Sequence, residues 1–411
     1  MAERVVLAYS GGLDTSVAVK WIADRYDAEV ICLTLDVGNE RDFSTVKQRA
    51  LQAGAKKALV QDAKELFVKY FVFPALQADA MYEGQYPLAT ALSRPLMAKL
   101  LVDVALQEGA TAIAHGCTGK GNDQVRIDVS VAALAPQLRV IAPAREWGMT
   151  REEEIEYAKR YGIPIPVTVE SPYSIDENLW GRAIECGILE DPWAEPPEEI
   201  YALTKSQANA PDKPAYVEIG FEQGIPVSLD GRRLDGVTLI LEMNERAGEH
   251  GVGRIDHVEN RLVGIKSREV YEAPAATVLL AAHRALEDLV LSKDQMRFKD
   301  RVAQEYADLI YNGLWFTALH QDLAAYVQST QRHVSGEVRV KLFKGKCSVV
   351  GRKSPKSLYN LSLATYDKGD VYDQSAAVGF INIWGLPVKV QAQAQLLSQP
   401  EGPLGITGPK E

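Results

Sequence analysis

Ser10-Gly11-Gly12-Leu13-Asp14-Thr15-Ser16 follows an apolar run, Val5-Val6-Leu7-Ala8-Tyr9, and precedes a segment reaching Tyr26 with Val17, Trp21 and Ile22 at helical spacing. The run reads as a buried strand and the segment after the loop as an amphipathic helix. Two adjacent glycines let the backbone approach an anion closely, with amide groups free to point at it. Ser10, Thr15 and Ser16 add hydroxyls, and the helix N-terminus adds a favourable dipole. Asp14 is the unexpected member, because a carboxylate beside a phosphate repels it unless a cation lies between. A bridging Mg²⁺ is one reading and a helix cap the other. A glycine pair alone would be no more than a tight turn. The seven residues together, between strand and helix, read as a phosphate loop. The spacing is not that of a Walker A loop, and Gly116-Cys117-Thr118-Gly119-Lys120-Gly121 fails that pattern too.

Outward from this loop the pattern repeats. Val30–Leu35, Ala58–Val60, Ala110–Ala114 and Val140–Ala142 read as further apolar strands, with a long helix over Leu92–Glu108 and an N-cap at Thr150, three residues before Glu153. Strands separated by helices need crossovers, so residues 1–165 are expected to form a doubly wound, mainly parallel α/β domain. Ile163-Pro164-Ile165-Pro166-Val167 cannot continue a helix and reads as a domain connection. Residues 166–385 read as a larger α+β domain. It has a hairpin from Val217–Phe221 and Ile225–Leu229, helices over Ala275–Leu291 and Lys299–Tyr311, and strands over Glu337–Phe343 and Cys347–Gly351. Acidic, Pro-rich Leu189–Glu199 reads as a surface loop. Residues 386–411 read as an oligomerisation arm or frayed tail.

Composition narrows the function. At 411 residues, two domains are expected. A net charge of -10 argues against a nucleic-acid surface. No window approaches the ~18 uninterrupted apolar residues of a membrane span, and the start has no apolar signal core, so a cytoplasmic protein is expected. Cys32, Cys117, Cys186 and Cys347 are far apart with no CxxC pair, which points to reduced thiols and no zinc or other protein-built metal cage.

A second constellation, His115-Gly116-Cys117-Thr118-Gly119-Lys120-Gly121-Asn122-Asp123-Gln124-Val125-Arg126, follows the fourth strand and so belongs on the same sheet edge as the phosphate loop. Its three glycines read as a loop without regular structure. Thr118, Asn122, Asp123 and Arg126 offer the donors and acceptors that suit a zwitterionic amino acid.

The phosphate loop resembles the PP-loop of ATP pyrophosphatases, in the adenine nucleotide alpha hydrolase-like class, which cleave ATP between the α- and β-phosphates. Together with YEGQYPLATALSRP (82–95), HGCTGKGNDQVR (115–126), SIDENLWGR (174–182), HGVGRIDHVENR (250–261), GIKSREVYE (264–272) and GRKSPKSLY (351–359), the chain is similar to the argininosuccinate synthase family over residues 5 to beyond 380. The resemblance implies a ligase that uses ATP, with Mg²⁺ bound to it, to join L-citrulline and L-aspartate through citrullyl-AMP, releasing AMP and pyrophosphate. It implies a homotetramer as well. Ala8, Tyr9, Ser10, Gly11, Gly12, Leu13, Asp14, Thr15 and Ser16 would hold ATP, with Leu35 and Gly116 near the nucleoside. Thr118, Asn122 and Asp123 would bind aspartate. Tyr86, Asn122, Arg126, Ser174, Ala183, Glu259 and Tyr271 would line the citrulline site. Asp14, Asp123 and Arg126 are the residues expected to carry the chemistry.

Two positions depart from the family pattern. Ala91 and Ala183 stand where the family often has citrulline-contacting serines, so Thr90, a water, or a differently arranged pocket must make up for the missing hydroxyls. Without the resemblance, Glu259 would read as a solvated surface charge and Tyr271 as core. His250 and His257 read as solvated or hydrogen-bonded histidines. Lys341, Lys344, Lys346, Arg352, Lys353 and Lys356 read as a subunit contact or solvated hairpin. The competing functions are a PP-loop tRNA-modifying enzyme, which would want catalytic cysteines and a basic face, and a non-catalytic nucleotide-binding protein of the same fold.

Overall fold

The computed structural model describes residues 3–39, 41–165 and 172–397. The end of the Ile163–Val167 connection and the last residues of the tail lie outside them. Residues 1–358 form one compact unit and residues 359–411 a second.

The N-terminal sheet is built from β1 (Glu3–Ala8), β2 (Ala28–Asp36), β3 (Lys57–Asp62), β4 (Ala112–Ala114) and β5 (Arg139–Ile141), in the order β3-β2-β1-β4-β5, with every pairing parallel. Around it stand α1 (Leu13–Tyr26), α2 (Phe43–Gln52), α3 (Ala89–Glu108), α4 (Asp123–Leu134) and α5 (Arg151–Tyr161). The strands are apolar almost without alternation because helices cover the sheet, and Val5, Val6 and Leu7 are fully buried. The expected cap at Thr150 is present: its hydroxyl accepts from the Glu153 amide, and Glu153 returns the bond to the Thr150 amide. The strand order reverses between β1 and β4, and there a doubly wound sheet opens a crevice at its carboxyl edge. The loops after β1 and β4 are the two singled out from sequence. One expectation needs correction: the 115–126 stretch is a loop only to Asn122. Asp123 and Arg126 lie in the first turn of α4.

The rest of the first unit is antiparallel. One sheet runs β11 (Arg254–Asn260), β12 (Lys266–Glu272), β7 (Gly181–Glu185), β6 (Ser174–Asn178). The other runs β10 (Arg232–Arg233), β9 (Ile225–Leu229), β8 (Ala215–Glu222), β13 (Gly336–Phe343), β14 (Lys346–Lys353). Against them lie α6 (Gly236–Glu249), α7 (Pro274–Val290), α8 (Lys293–Tyr311) and α9 (Ala318–Gln331). α8 starts at Lys293 rather than Lys299, because Ser292 and Gln295 form a capping box there. The basic Lys341–Lys356 segment is the β13–β14 hairpin and the turn after it, with Lys344 paired to Asp212 and Lys353 to Glu337. Leu189–Glu199 is an exposed loop with short helical turns at its ends, and Trp193 at its tip is 95% exposed.

A buried charge network ties α7, α8 and α9 to Asp79. Lys299 donates to Asp79 at 2.6 Å and to Glu287 at 3.0 Å. His283 sets Nδ1 at 2.8 Å from Asp79 and Nε2 at 2.9 Å from the Gln331 carbonyl oxygen, while the Gln331 amide donates to Glu287. Both ring nitrogens thus face acceptors, which requires an imidazolium. Burial works against charge on His283 and Lys299, but the two carboxylates outweigh it and raise both pKa values. Asp79, His283 and Glu287 could together ligate a metal, yet the Lys299 ammonium stands among them and supplies the cation.

The second unit holds a short helical turn, Leu361–Ala364, and α10 (Ala376–Gln391). α10 is apolar on all sides, and Phe380, Ile381, Ile383 and Trp384 are all more than 60% exposed. No helix among the described residues is long and apolar enough to cross a membrane.

Candidate active site

The phosphate loop is ordered by its own hydroxyls. Tyr9 Oη and Ser16 Oγ are 2.9 Å apart, Ser10 Oγ and Thr15 Oγ1 3.1 Å, and the Gly12 amide donates to Ser10 Oγ at 3.3 Å. Gly11 holds φ at +80°, which favours glycine, and a Cβ there would crowd the Val46 methyls at 3.2 Å. Gly12 is the N-cap of α1 and has no side chain to offer the first-turn amides, which are left facing the crevice. Two arginines that the sequence reading missed brace the loop: Arg41 donates to the Ser10 carbonyl at 3.1 Å and Arg49 to the Gly11 carbonyl at 2.5 Å. Nothing in their sequence neighbourhood marks them, since each acts across 31 or 38 residues.

A cavity of about 960 Å³ opens here, lined by Ala8, Tyr9, Ser10, Gly12, Leu13, Asp14, Thr15, Leu35, Gly116 and Ser174 among others. Its size suits a nucleotide. Gly11 and Ser16 lie behind this wall, supporting it. Asp14 is exposed in the first turn of α1 and hydrogen-bonds to the buried Glu154 of α5. Burial first, and then the Asp14 carboxylate, push Glu154 from its ordinary 4.5 up to about 8. Folding therefore binds a proton. That stability is fully present below about 4.5 and is lost as pH rises through about 8. Glu154→Gln should flatten the decline between those limits, where the wild-type slope reaches at most ~1.4 kcal/mol per pH unit. Urea melts at successive pH values measure it, and an unchanged slope contradicts the pairing.

Beside the cavity, Asp123 is held between two guanidiniums. Arg94 donates to it at 2.7 Å and to Asp176 of β6, and Arg126 donates to it at 2.8 Å. Burial works to raise the Asp123 carboxyl, but Arg94 and Arg126 outweigh it and bring it to about 2. Asp123 is thus a fixed anion already engaged by protein. Thr118 is exposed on the loop before α4 and is not part of the cavity lining.

Tyr86, Asn122, Arg126, Ala183, Glu259 and Tyr271 lie outside the cavity lining, in a closely packed knot behind it. Tyr86 stacks on Tyr271 with ring centres 4.2 Å apart, and Ala183 pairs with Tyr271 across β7 and β12. Glu259 is only 2% exposed, which overturns its reading as a surface charge; it accepts from Tyr271 at 2.6 Å and from Tyr311 at 2.5 Å. Arg126 donates through Nε to the Tyr311 carbonyl and through Nη1 to Asp123. Nη2 is buried with no acceptor among the described residues. His250 and His257 are buried as well, His257 within 3.0 Å of Glu83.

At the departures from the family pattern, Ala91 is fully buried on α3, and the neighbouring Thr90 hydroxyl lies 2.6 Å from Tyr86 Oη. The motifs also interlock: Asn178 donates to the Ala89 carbonyl and Trp180 to that of Pro87, which seats SIDENLWGR against YEGQYPLAT.

A side-chain-free helix N-terminus at the carboxyl edge of a parallel sheet, braced by arginines and adjoining a buried polar knot, is the arrangement of an ATP-using enzyme with a HUP domain. The arginosuccinate synthase N-terminal HUP domain model matches residues 4–164, and the arginosuccinate synthase C-terminal domain model matches residues 173–391. The argininosuccinate synthase of Dehalococcoides mccartyi is 62% identical over 401 residues, 98% of this chain and 99% of its own. Those of Geobacillus kaustophilus and Oceanobacillus iheyensis are 60% and 59% identical, covering 98% and 95% of this chain and 99% and 94% of theirs. The chain belongs to the argininosuccinate synthase family.

Proposed function

We propose that the chain joins L-citrulline to L-aspartate with ATP, through citrullyl-AMP, as an enzyme of arginine biosynthesis in the cytoplasm. The ureido oxygen of citrulline attacks the α-phosphorus and pyrophosphate leaves. The aspartate amine then attacks the ureido carbon, the carbon–oxygen bond breaks, and AMP departs with that oxygen. Family membership supports the ligase class, and the unpartnered Arg126 Nη2 is the observation that supports the amino-acid site. A buried guanidinium N–H without an acceptor costs on the order of 1–3 kcal/mol, which a substrate carboxylate would relieve.

In this reading Ala8, Tyr9, Ser10, Gly11, Gly12, Leu13, Asp14, Thr15 and Ser16 bind ATP, with Leu35 and Gly116 at the nucleoside. The open amides of α1 and the braced loop stabilise charge on the departing pyrophosphate. Thr118, Asn122 and Asp123 bind aspartate, and Asp123, kept ionised, receives the ammonium group. Tyr86, Asn122, Arg126, Ser174, Glu259 and Tyr271 bind citrulline against Ala183, and the Thr90 hydroxyl serves where Ala91 lacks one. Catalysis rests on positioning and charge, with no covalent enzyme nucleophile. Asp14, in the cavity wall, would face a divalent cation carried by ATP, which would neutralise the polyphosphate. Citrulline labelled with ¹⁸O in its ureido group should deliver the label to the phosphate of AMP. Unlabelled AMP would exclude the adenylylated intermediate.

We further propose a homotetramer, supported by the exposed apolar faces of α10, which a neighbouring copy would cover. Phe380→Asp combined with Trp384→Asp should lower the mass seen by light scattering. A mass unchanged from wild type would refute the role of α10.

A further inference from the structure

Tyr311, at the last turn of α8, belongs to no motif that the sequence reading used, yet it touches three residues of the amino-acid site. Its hydroxyl accepts from Asn122 Nδ2 at 2.8 Å and donates to Glu259 at 2.5 Å. Its carbonyl accepts from Arg126 Nε at 2.8 Å, and its ring lies under the Arg126 guanidinium at 4.7 Å. The opposite carboxylate oxygen of Glu259 accepts from Tyr271, and Asn122 Oδ1 accepts from the Leu262 amide at 2.9 Å. Both groups that meet the phenol are therefore fixed at their other ends, and the phenol closes the chain between them.

The ring itself is held. Tyr82 stacks on it with centres 3.5 Å apart and planes 5° from parallel. Two residues on, Gly313 holds φ at +77°, and a Cβ there would stand 2.7 Å from the Cα of Arg126. The C-terminal end of α8 is thereby pressed against α4 at the residue whose Nη2 is unpaired. We propose that Tyr311 is a positioning residue of the amino-acid site: it ties Asn122 to Glu259 and sets the plane of the Arg126 guanidinium. The inference rests on the proposed placement of citrulline at Arg126, Glu259 and Tyr271.

Burial first, and then the Glu259 carboxylate, push the Tyr311 phenol well above its ordinary range, which keeps the hydroxyl a donor to Glu259 across the working pH range. The phenol oxygen, its proton directed at Glu259, accepts from Asn122 Nδ2. Phenylalanine would retain the stack on Tyr82 and the backbone bond to Arg126, and would lose both hydroxyl bonds. A purely structural role would show in unfolding and leave substrate constants alone. A positioning role separates the substrates, because the ATP cavity does not include Tyr311.

The experiment is steady-state kinetics of the full-length enzyme, varying citrulline and ATP separately, for wild type, Tyr311→Phe, Gly313→Ala and Tyr271→Phe. Tyr311→Phe should raise the citrulline KM by about tenfold or more and leave the ATP KM within about twofold, as expected when a hydrogen bond to a buried charged group is lost. Gly313→Ala, which touches no substrate, should shift in the same direction. An unchanged citrulline KM in folded Tyr311→Phe, with a raised one in Tyr271→Phe, overturns this inference alone. Unchanged values in both overturn it together with the placement of citrulline.

Discussion

Arg126→Ala should lower citrulline-dependent pyrophosphate release by a factor of about 30 to several thousand, while ATP binding stays near wild type. The magnitude follows from what the side chain does. Its Nη1 helps hold the buried Asp123 carboxylate, its Nε fixes the end of α8, and its Nη2 is buried with no acceptor among the described residues. Truncating one member of a buried, hydrogen-bonded charge pair costs ~2–5 kcal/mol, and each ~1.4 kcal/mol is a factor of ten. Arg94 still pairs with Asp123 in the variant, so the fold should survive. Arg126→Lys keeps the charge but not the fork, and should recover only a part of the rate. The check is pyrophosphate release against citrulline concentration, with nucleotide affinity measured separately. A loss confined to ATP affinity would move Arg126 out of the amino-acid site.

The second large effect is on stability. Lys299→Met should destabilise the protein by about 3–5 kcal/mol, because it leaves Asp79 and Glu287 buried with only the His283 imidazolium between two carboxylates. Burial raises Glu287 to about 7, so removing the ammonium drives it further toward its protonated form. The penalty should therefore shrink as the pH falls and the carboxyls gain protons. Denaturant unfolding at neutral and mildly acid pH measures both the size and its trend. A change under about 1 kcal/mol at neutral pH would mean that the network is already relaxed by water or by a shared proton.

The parts of this molecule that were legible in the sequence are those where one segment carries its own signal. Val5–Tyr9 and Val30–Leu35 read as strands because strands buried on both faces are continuously apolar; the first strand ends at Ala8, one residue earlier, and the second contains its whole stretch. Thr150 announced its helix because the capping box is a local device. The glycine pair marked the turn between the first strand and the first helix for the same reason. By contrast, Ser174–Asn178 is a strand made almost wholly of polar residues, so no period of two appears in it. Arg254–Asn260 and Lys266–Glu272 are nearly as polar, and their pairing is set by partners in space.

The site divides along the same line. Ser10 to Ser16 could be read from residue types and spacing. Tyr86, Glu259 and Tyr271 came from family resemblance alone, since a tyrosine or a glutamate in a polar stretch says nothing about a partner far away. Tyr311, Arg49 and Arg94 escaped both routes. Each acquires its role through a contact across at least 29 residues, and only the fold makes that contact. The 115–126 stretch shows a subtler limit. Its glycines argue correctly for a loop, but they end at Gly121, and Asp123 gains its fixed orientation from the helix that starts immediately after.

In the proposed function this crevice and the knot behind it couple ATP cleavage to the joining of citrulline and aspartate. Its most direct test is to incubate the purified chain with Mg·ATP and measure AMP and pyrophosphate, adding citrulline and aspartate first separately and then together. Sustained release of the two products in equal amounts, only when both amino acids are present, is the expected result and would also show that Ala91 and Ala183 are tolerated. Bound ATP with neither product formed in the presence of both amino acids would contradict it, leaving either a different acceptor or a fold kept without this chemistry.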